Sequence, residues 1–179
     1  DDLFVLYSHA DEHSLYHQFT SAMAKDWRVD DEGPVADLLG VQIDALPGGK
    51  VKLHQSAYID RLMAAHAPDG CPVSHSASKT PACDRGGLQQ HLVDAFSIED
   101  LDSIDPALRR RYQSLVGALL YCSCNTRPDV AFAVSYLSRA MARPTPALMD
   151  DALRVLYYLH RHKDVGLTYE SSSEFLHGF

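Results

Sequence analysis

"RRRYQSLVGALLYCSCNTRPDVAFAVSYLSR" (residues 109–139) is the stretch whose spacing decides the fold. Its apolar side chains recur at helical intervals, with Tyr112, Leu115, Val116, Leu119 and Leu120 making nearly a full core face. Thr126, Pro128 and Asp129 then read as the opening of a second helix: Thr126 as N-cap, Pro128 in the first turn, Asp129 three residues after the cap. "TPALMDDALRVLYYLHRH" (145–162) repeats that grammar with Thr145 and Pro146, and Gly166 reads as its stop. Three successive helices sharing one core are therefore expected over 108–165, with "LTYES" (167–171) as a closing strand.

Toward the N-terminus the period changes. "LFVLYS" (3–8) and "PVADLLGVQI" (34–43) read as strands, and "LPGG" (46–49) followed by the alternating "KVKLHQ" (50–55) reads as a β-hairpin. Between them, "DEHSLYHQFTSAMAKDW" (11–27) places Leu15, Phe19, Ala22 and Met23 on one helical face, with Asp11 available as a cap. "SAYIDRLMAAHA" (56–67) is a short helix with Tyr58, Ile59, Leu62 and Met63 along its stripe. From about 68 to 107 the periodicity dissolves into Pro, Gly, Ser and acids, which marks a linker or inserted loop. The fold class is α+β: a partial sheet with one packed helix, then a three-helix cluster.

With 179 residues the chain can bury a core as one domain or two small modules. No run approaches the length of a membrane-spanning helix, and no secretory signal opens it. Cys122 and Cys124 sit in the helical run and read as small hydrophobes; with Cys71 and Cys83 in a polar stretch, no disulfide framework is expected. The net charge of −8 argues mildly against bulk attraction to nucleic acid. Local patches matter more, and the basic ones are Arg109-Arg110-Arg111, Lys50 with Lys52, and Arg154 through Lys163.

The chemistry-bearing residues are few. Asp1 and Asp2 stand side by side before an apolar run, where their repulsion is relieved by a hard cation such as Mg²⁺. Cys71, His75, Cys83 and His91 match no structural zinc spacing, and His160 and His162, two apart, read as surface residues. Neither a nucleophile elbow nor a phosphate loop is present; "LPGGK" (46–50) is better read as a hairpin tip.

Taken in order, "DDLFVL", a helix, "LLGVQI", "KLHQSAYIDRLM", "YQSLVGALLYCSCNTRPDVAFAVSYLSR" and "ALRVLYYLHRHKDVGLTY" resemble the back half of a copia-type retrotransposon reverse transcriptase. The stretch "NTRPDVAFAVSYLSR" is the most specific part. The resemblance implies that 1–48 is the end of the polymerase palm. It makes 49–107 a thumb-like hairpin and helix with a flexible linker, and 108–179 a helical connection toward ribonuclease H. It makes Asp1 and Asp2 the catalytic, metal-holding pair of a Tyr-Val-Asp-Asp motif, with Mg²⁺ or Mn²⁺ as cofactor. Leu39 and Gly40 match the family's leucine-glycine element near the primer, and Lys50 and Lys52 lie on the approach to the thumb as template contacts.

The partners so implied are an RNA template, a DNA primer and deoxynucleoside triphosphates. The fingers and palm upstream, and a ribonuclease H downstream in the same polyprotein, are implied too; a membrane is not. The location implied is intracellular, in a cytoplasmic virus-like particle or the nucleus. On this reading the chain is a fragment: the family's other metal-binding aspartate lies upstream, and the chain stops just short of the first ribonuclease H acid. Alone it is expected not to polymerise DNA. The competing reading is a non-catalytic helical interaction module derived from a retroelement.

Overall fold

The computed structural model describes residues 3, 5, 15–28, 30, 33, 35–72, 80–82 and 85–170. They fall in two compact units, Asp1–Val35 and Ala36–Phe179. In the first, the expected helix forms over a shorter span, α1 (His17–Met23), with the Thr20 hydroxyl donating back to the Tyr16 carbonyl. Apart from Leu3 and Val5, the strand expected over 3–8 lies outside the described residues, as does the Asp11 cap.

The second unit opens with β1 (Asp37–Leu38), β2 (Val41–Leu46) and β3 (Lys50–His54), followed by α2 (Ser56–His66). Four helices come next: α3 (Arg85–Phe96), α4 (Pro106–Asn125), α5 (Ala131–Ser138) and α6 (Pro146–Arg161). β4 (Leu167–Tyr169) closes the unit. The sheet is antiparallel in the order β1-β2-β3-β4, so the last strand returns across the whole helical region to pair with β3, Leu53 opposite Leu167 and Val51 opposite Tyr169.

Local chemistry explains most boundaries. The Asp105 carboxylate accepts from the Ala107 and Leu108 amides and Pro106 takes the first position of α4; Thr145 and Pro146 do the same for α6. The hairpin tip Pro47-Gly48-Gly49 turns with both glycines at positive φ. The core forms where the helical stripes meet: Ile59 of α2, Tyr112, Leu115 and Leu119 of α4, Val134 of α5 and Leu156 of α6 are wholly buried. The α+β class and the three-helix cluster expected from periodicity are both present.

Four expectations are corrected. The strand expected across 34–43 is broken at Leu39-Gly40, a two-residue hairpin loop with both residues at positive φ. Thr126 is not an N-cap; it ends α4, and its hydroxyl donates to the Gln55 side chain instead. Gly166 does not stop α6, which already ends at Arg161. It is where the chain passes so close to β3 that a Cβ would lie 2.2 Å from the Leu53 carbonyl oxygen. Finally, the supposed linker contains α3. Leu88, Leu92 and Ala95, at helical spacing, are buried in the common core. Gly86 and Gly87 and the short three-residue stripe hid this helix from a periodicity reading.

Candidate nucleic-acid interface

The Leu39-Gly40 turn is the most unusual backbone in the second unit. Leu39 has φ +53° and is the only non-glycine residue at positive φ among the described residues. A left-handed conformation costs an ordinary L-residue about 1–2 kcal/mol, so a bulky apolar residue held there marks stored strain. Leu39 is also 73% exposed, so burial does not offset that cost. Two contacts hold the turn. The Asp37 carboxylate accepts from the Gly40 amide at 3.1 Å, and the Tyr121 hydroxyl of α4 donates to the Leu39 carbonyl.

Behind the turn stand three side chains from two helices. Tyr121 meets Tyr58 of α2 edge to face, with ring centroids 5.2 Å apart. The Arg61 guanidinium lies over the Tyr58 ring at 5.6 Å, and one of its nitrogens is 3.5 Å from where a Cβ on Gly40 would sit. Burial, reinforced by Cys122 and Tyr121, pushes the Tyr58 phenol above its ordinary pKa, so it stays neutral across the physiological range.

Lys50 and Lys52 lie elsewhere in the sheet, on β3. Lys50 faces Leu46 at the far end of β2 from the turn, roughly 17 Å away along a six-residue strand at ~3.3 Å per residue. Its ammonium pairs with Glu170 just after β4, at 2.5 Å. Lys52 sits midway, opposite Asp44 and Thr168. The fold therefore brings Leu39 and Gly40 together with Tyr58, Arg61 and Tyr121, and sets the two lysines apart from them.

A polar hub fastens the hairpin to the helices. The His54 imidazole bonds Asp44 at 3.0 Å on one side and the Ser56 hydroxyl at 2.8 Å on the other. Ser56 in turn donates to the Lys163 carbonyl, and the Gln42 side chain accepts from the Ala57 amide at the start of α2. Deeper in, Arg127 is fully buried and forked onto Asp129, with a third bond to the His162 carbonyl and the Tyr158 ring at 5.8 Å. Burial alone would raise the Asp129 carboxyl, but the Arg127 bonds and charge, with help from Tyr158, hold it below its ordinary value. Arg127 was invisible as a core residue in the sequence, where it reads as a polar residue in a helix entry. The flanking Asp129 two residues on was the available signal.

The remaining candidates are placed as follows. Asp1, Asp2, His75 and Cys83 lie outside the described residues. Cys71 is exposed, and His91 is committed to a 2.6 Å bond with Asp151. Cys122 is buried, which pushes its thiol up to about 12, while Cys124 is exposed and is not the core hydrophobe its neighbours suggested. His160 and His162 are both half-buried rather than plain surface residues: His160 pairs with Asp60 at 3.3 Å, and the His162 ring packs at a tilt against Tyr158, centroids 4.8 Å apart.

Several proteins similar to this chain are named for transposons. A Saccharomyces cerevisiae protein ascribed to transposon Ty5-1 is 31% identical over 174 residues, covering 97% of this chain and 51% of its own length. The retrovirus-related Pol polyprotein from transposon TNT 1-94 of Nicotiana tabacum is 25% identical over 181 residues, covering all of this chain and 13% of the polyprotein. The chain is a relative of the copia-type retrotransposon polyproteins. An uncharacterized mitochondrial protein of Arabidopsis thaliana is 31% identical over 147 residues, 82% of this chain and 54% of that protein. The chain thus spans about half the length of two of these three proteins and a small part of the other. No family model and no solved structure matches it. Among the described residues, no helix is long and apolar enough to cross a membrane.

Proposed function

We propose that this retroelement-derived chain is part of an RNA-directed DNA polymerase, and that the Leu39-Gly40 turn is its contact with primer–template. The observation that carries the contact is the turn itself: a strained, exposed leucine held from behind by Tyr121 and Asp37. Strain that burial does not offset persists where a surface is shaped for something outside the chain. The alignment with a Pol polyprotein across the whole chain supports the polymerase class.

In this reading Asp1 and Asp2 supply the adjacent carboxylates that Mg²⁺, or Mn²⁺, takes as hard oxygen ligands. The ion, when bound, neutralises charge on the transferring phosphoryl group. Of the two lysines on β3, Lys52 contributes positive charge toward RNA template and DNA primer, while Lys50 does so only when released from Glu170. Further ligands and the nucleotide pocket belong to the longer protein of which this is a part, and deoxynucleoside triphosphates are its substrates.

Primer extension on an RNA template with Mg²⁺ tests the proposal. The chain alone is expected to give no extension, because two-metal transfer draws ligands from more than one strand. A longer protein that includes the preceding segment is expected to extend. Asp1→Asn in that protein is expected to abolish most turnover while leaving duplex affinity largely intact, since affinity comes chiefly from phosphate contacts. An Asp1→Asn protein that extends normally would remove the acid pair from the active site.

A further inference from the structure

Several cations of the second unit are spoken for. Lys163 is bonded to both oxygens of Asp60, Lys50 to Glu170 and Arg127 to Asp129, while Arg109, Arg111 and Arg143 donate to backbone carbonyls. Arg61 differs. It is exposed on α2, and among the described residues no carboxylate lies within ion-pair reach of it. Asp37, the acid tied to the same turn, accepts from the Gly40 amide.

Nor is Arg61 a freely waving side chain. Its guanidinium rests on the Tyr58 face, Tyr58 is braced by Tyr121, and Tyr121 pins the Leu39 carbonyl. One guanidinium nitrogen lies beside Gly40 of the turn. A stacked guanidinium keeps its planar fork free to donate two parallel hydrogen bonds while losing little further rotamer freedom. Beside it, Leu39 presents an exposed apolar surface at a fixed backbone angle.

From this arrangement we infer that Arg61 binds a backbone phosphate of the nucleic-acid duplex, with Tyr58 and Tyr121 as positioning residues and Leu39 packing against the adjoining sugar. The inference rests on the polymerase-contact reading above and adds the residue that supplies the charge, which the sequence did not single out. Phosphate is the ligand that fits: it is a bidentate acceptor for a planar fork, and on a chain of overall charge −8 it needs a cation that no carboxylate neutralises.

The test uses the 179-residue chain and a fluorescein-labelled RNA–DNA primer–template duplex, followed by anisotropy over a salt series. Arg61→Gln keeps a shorter apolar stem and a planar polar end but removes the charge; Arg61→Lys keeps the charge but not the fork. Arg61→Gln is expected to weaken binding about tenfold at low salt and to lower the salt slope by about one. Arg61→Lys is expected to keep the wild-type slope with only part of the affinity. Thermal unfolding of both variants is expected to match the parent, as befits an exposed side chain. Wild-type affinity and slope in Arg61→Gln would overturn the assignment of Arg61 and leave the polymerase-contact reading standing. Weaker binding with an unchanged slope would overturn it as well, because it points to a structural role. A parent chain that does not bind the duplex at all would overturn both.

Discussion

Arg127 and Asp129, two residues apart, form a two-pronged pair: Nε to Oδ1 at 2.9 Å and Nη2 to Oδ2 at 2.7 Å, with the arginine wholly buried. The pair sits where α4 ends and α5 begins, and the third arginine bond reaches the His162 carbonyl after α6. One short segment therefore locks three helices. Asp129→Ala leaves a buried guanidinium without its counter-ion and is expected to destabilise the second unit by about 3 kcal/mol, the lower end for such a loss because the Asp129 side chain is 35% exposed. Urea unfolding followed by circular dichroism measures it, and a change under about 0.5 kcal/mol, within the range of ordinary surface substitutions, would mean that the pair contributes little.

The same carboxylate sets an acid limit. Its pKa is lower in the fold than in the unfolded chain, so the unfolded state binds the proton more readily. The stability it contributes is present above the unfolded carboxylate value of about 4 and is lost as pH falls through the lower folded value. Unfolding free energies of the parent and Asp129→Asn are therefore expected to converge as the pH is taken well below about 4, the parent losing more. Parallel pH profiles would contradict this.

Gly166→Ala places a methyl where Leu53 already has its carbonyl, at a separation of 2.2 Å that no side-chain shift can relieve. β4 must then move off β3. A cost of about 1–3 kcal/mol is expected, as for other overpacked sites, together with faster hydrogen exchange at the β3–β4 amides. Unchanged protection there would show that the strand adjusts without separating.

Leu92 of α3 is 4% exposed and lies in the common core. Leu92→Ala is expected to cost about 2–5 kcal/mol, as for other buried leucines. In limited proteolysis of the parent, sites within 85–96 are expected to resist early cleavage. Early cleavage there, or a cost near zero, would return this stretch to the status of a linker.

Leu39→Asn tests whether the turn is strained. Asn tolerates the left-handed region and is preferred before Gly in a two-residue hairpin loop. The variant is expected to be more stable than the parent by up to about 1 kcal/mol, yet to bind duplex more weakly because the apolar side chain is gone. A variant that is both more stable and an equal binder would separate the strain from the proposed contact.

Periodicity and local capping were enough to place α2, α4 and α6, the hairpin at Pro47-Gly48-Gly49 and the closing strand, because each is written in neighbouring residues: apolar spacing, Thr145-Pro146, paired glycines. The order of motifs was enough to reveal the likeness to the copia-type polyproteins. What neighbours could not encode was left to the tertiary structure. A three-residue stripe on α3 stabilises a helix only because α5 and α6 are there to bury it. Thr126 looks like a cap until Gln55, 71 residues away, competes for its hydroxyl. Gly166 looks like a helix stop until β3 is laid against it. Arg127 reads as polar surface until the fold closes over it with Asp129 as counter-ion, and the Arg61–Tyr58–Tyr121 stack forms only once α2 and α4 are side by side with the Leu39-Gly40 turn in front of them. These features are long-range pairings of polar and aromatic groups, whose partners burial selects and sequence spacing does not.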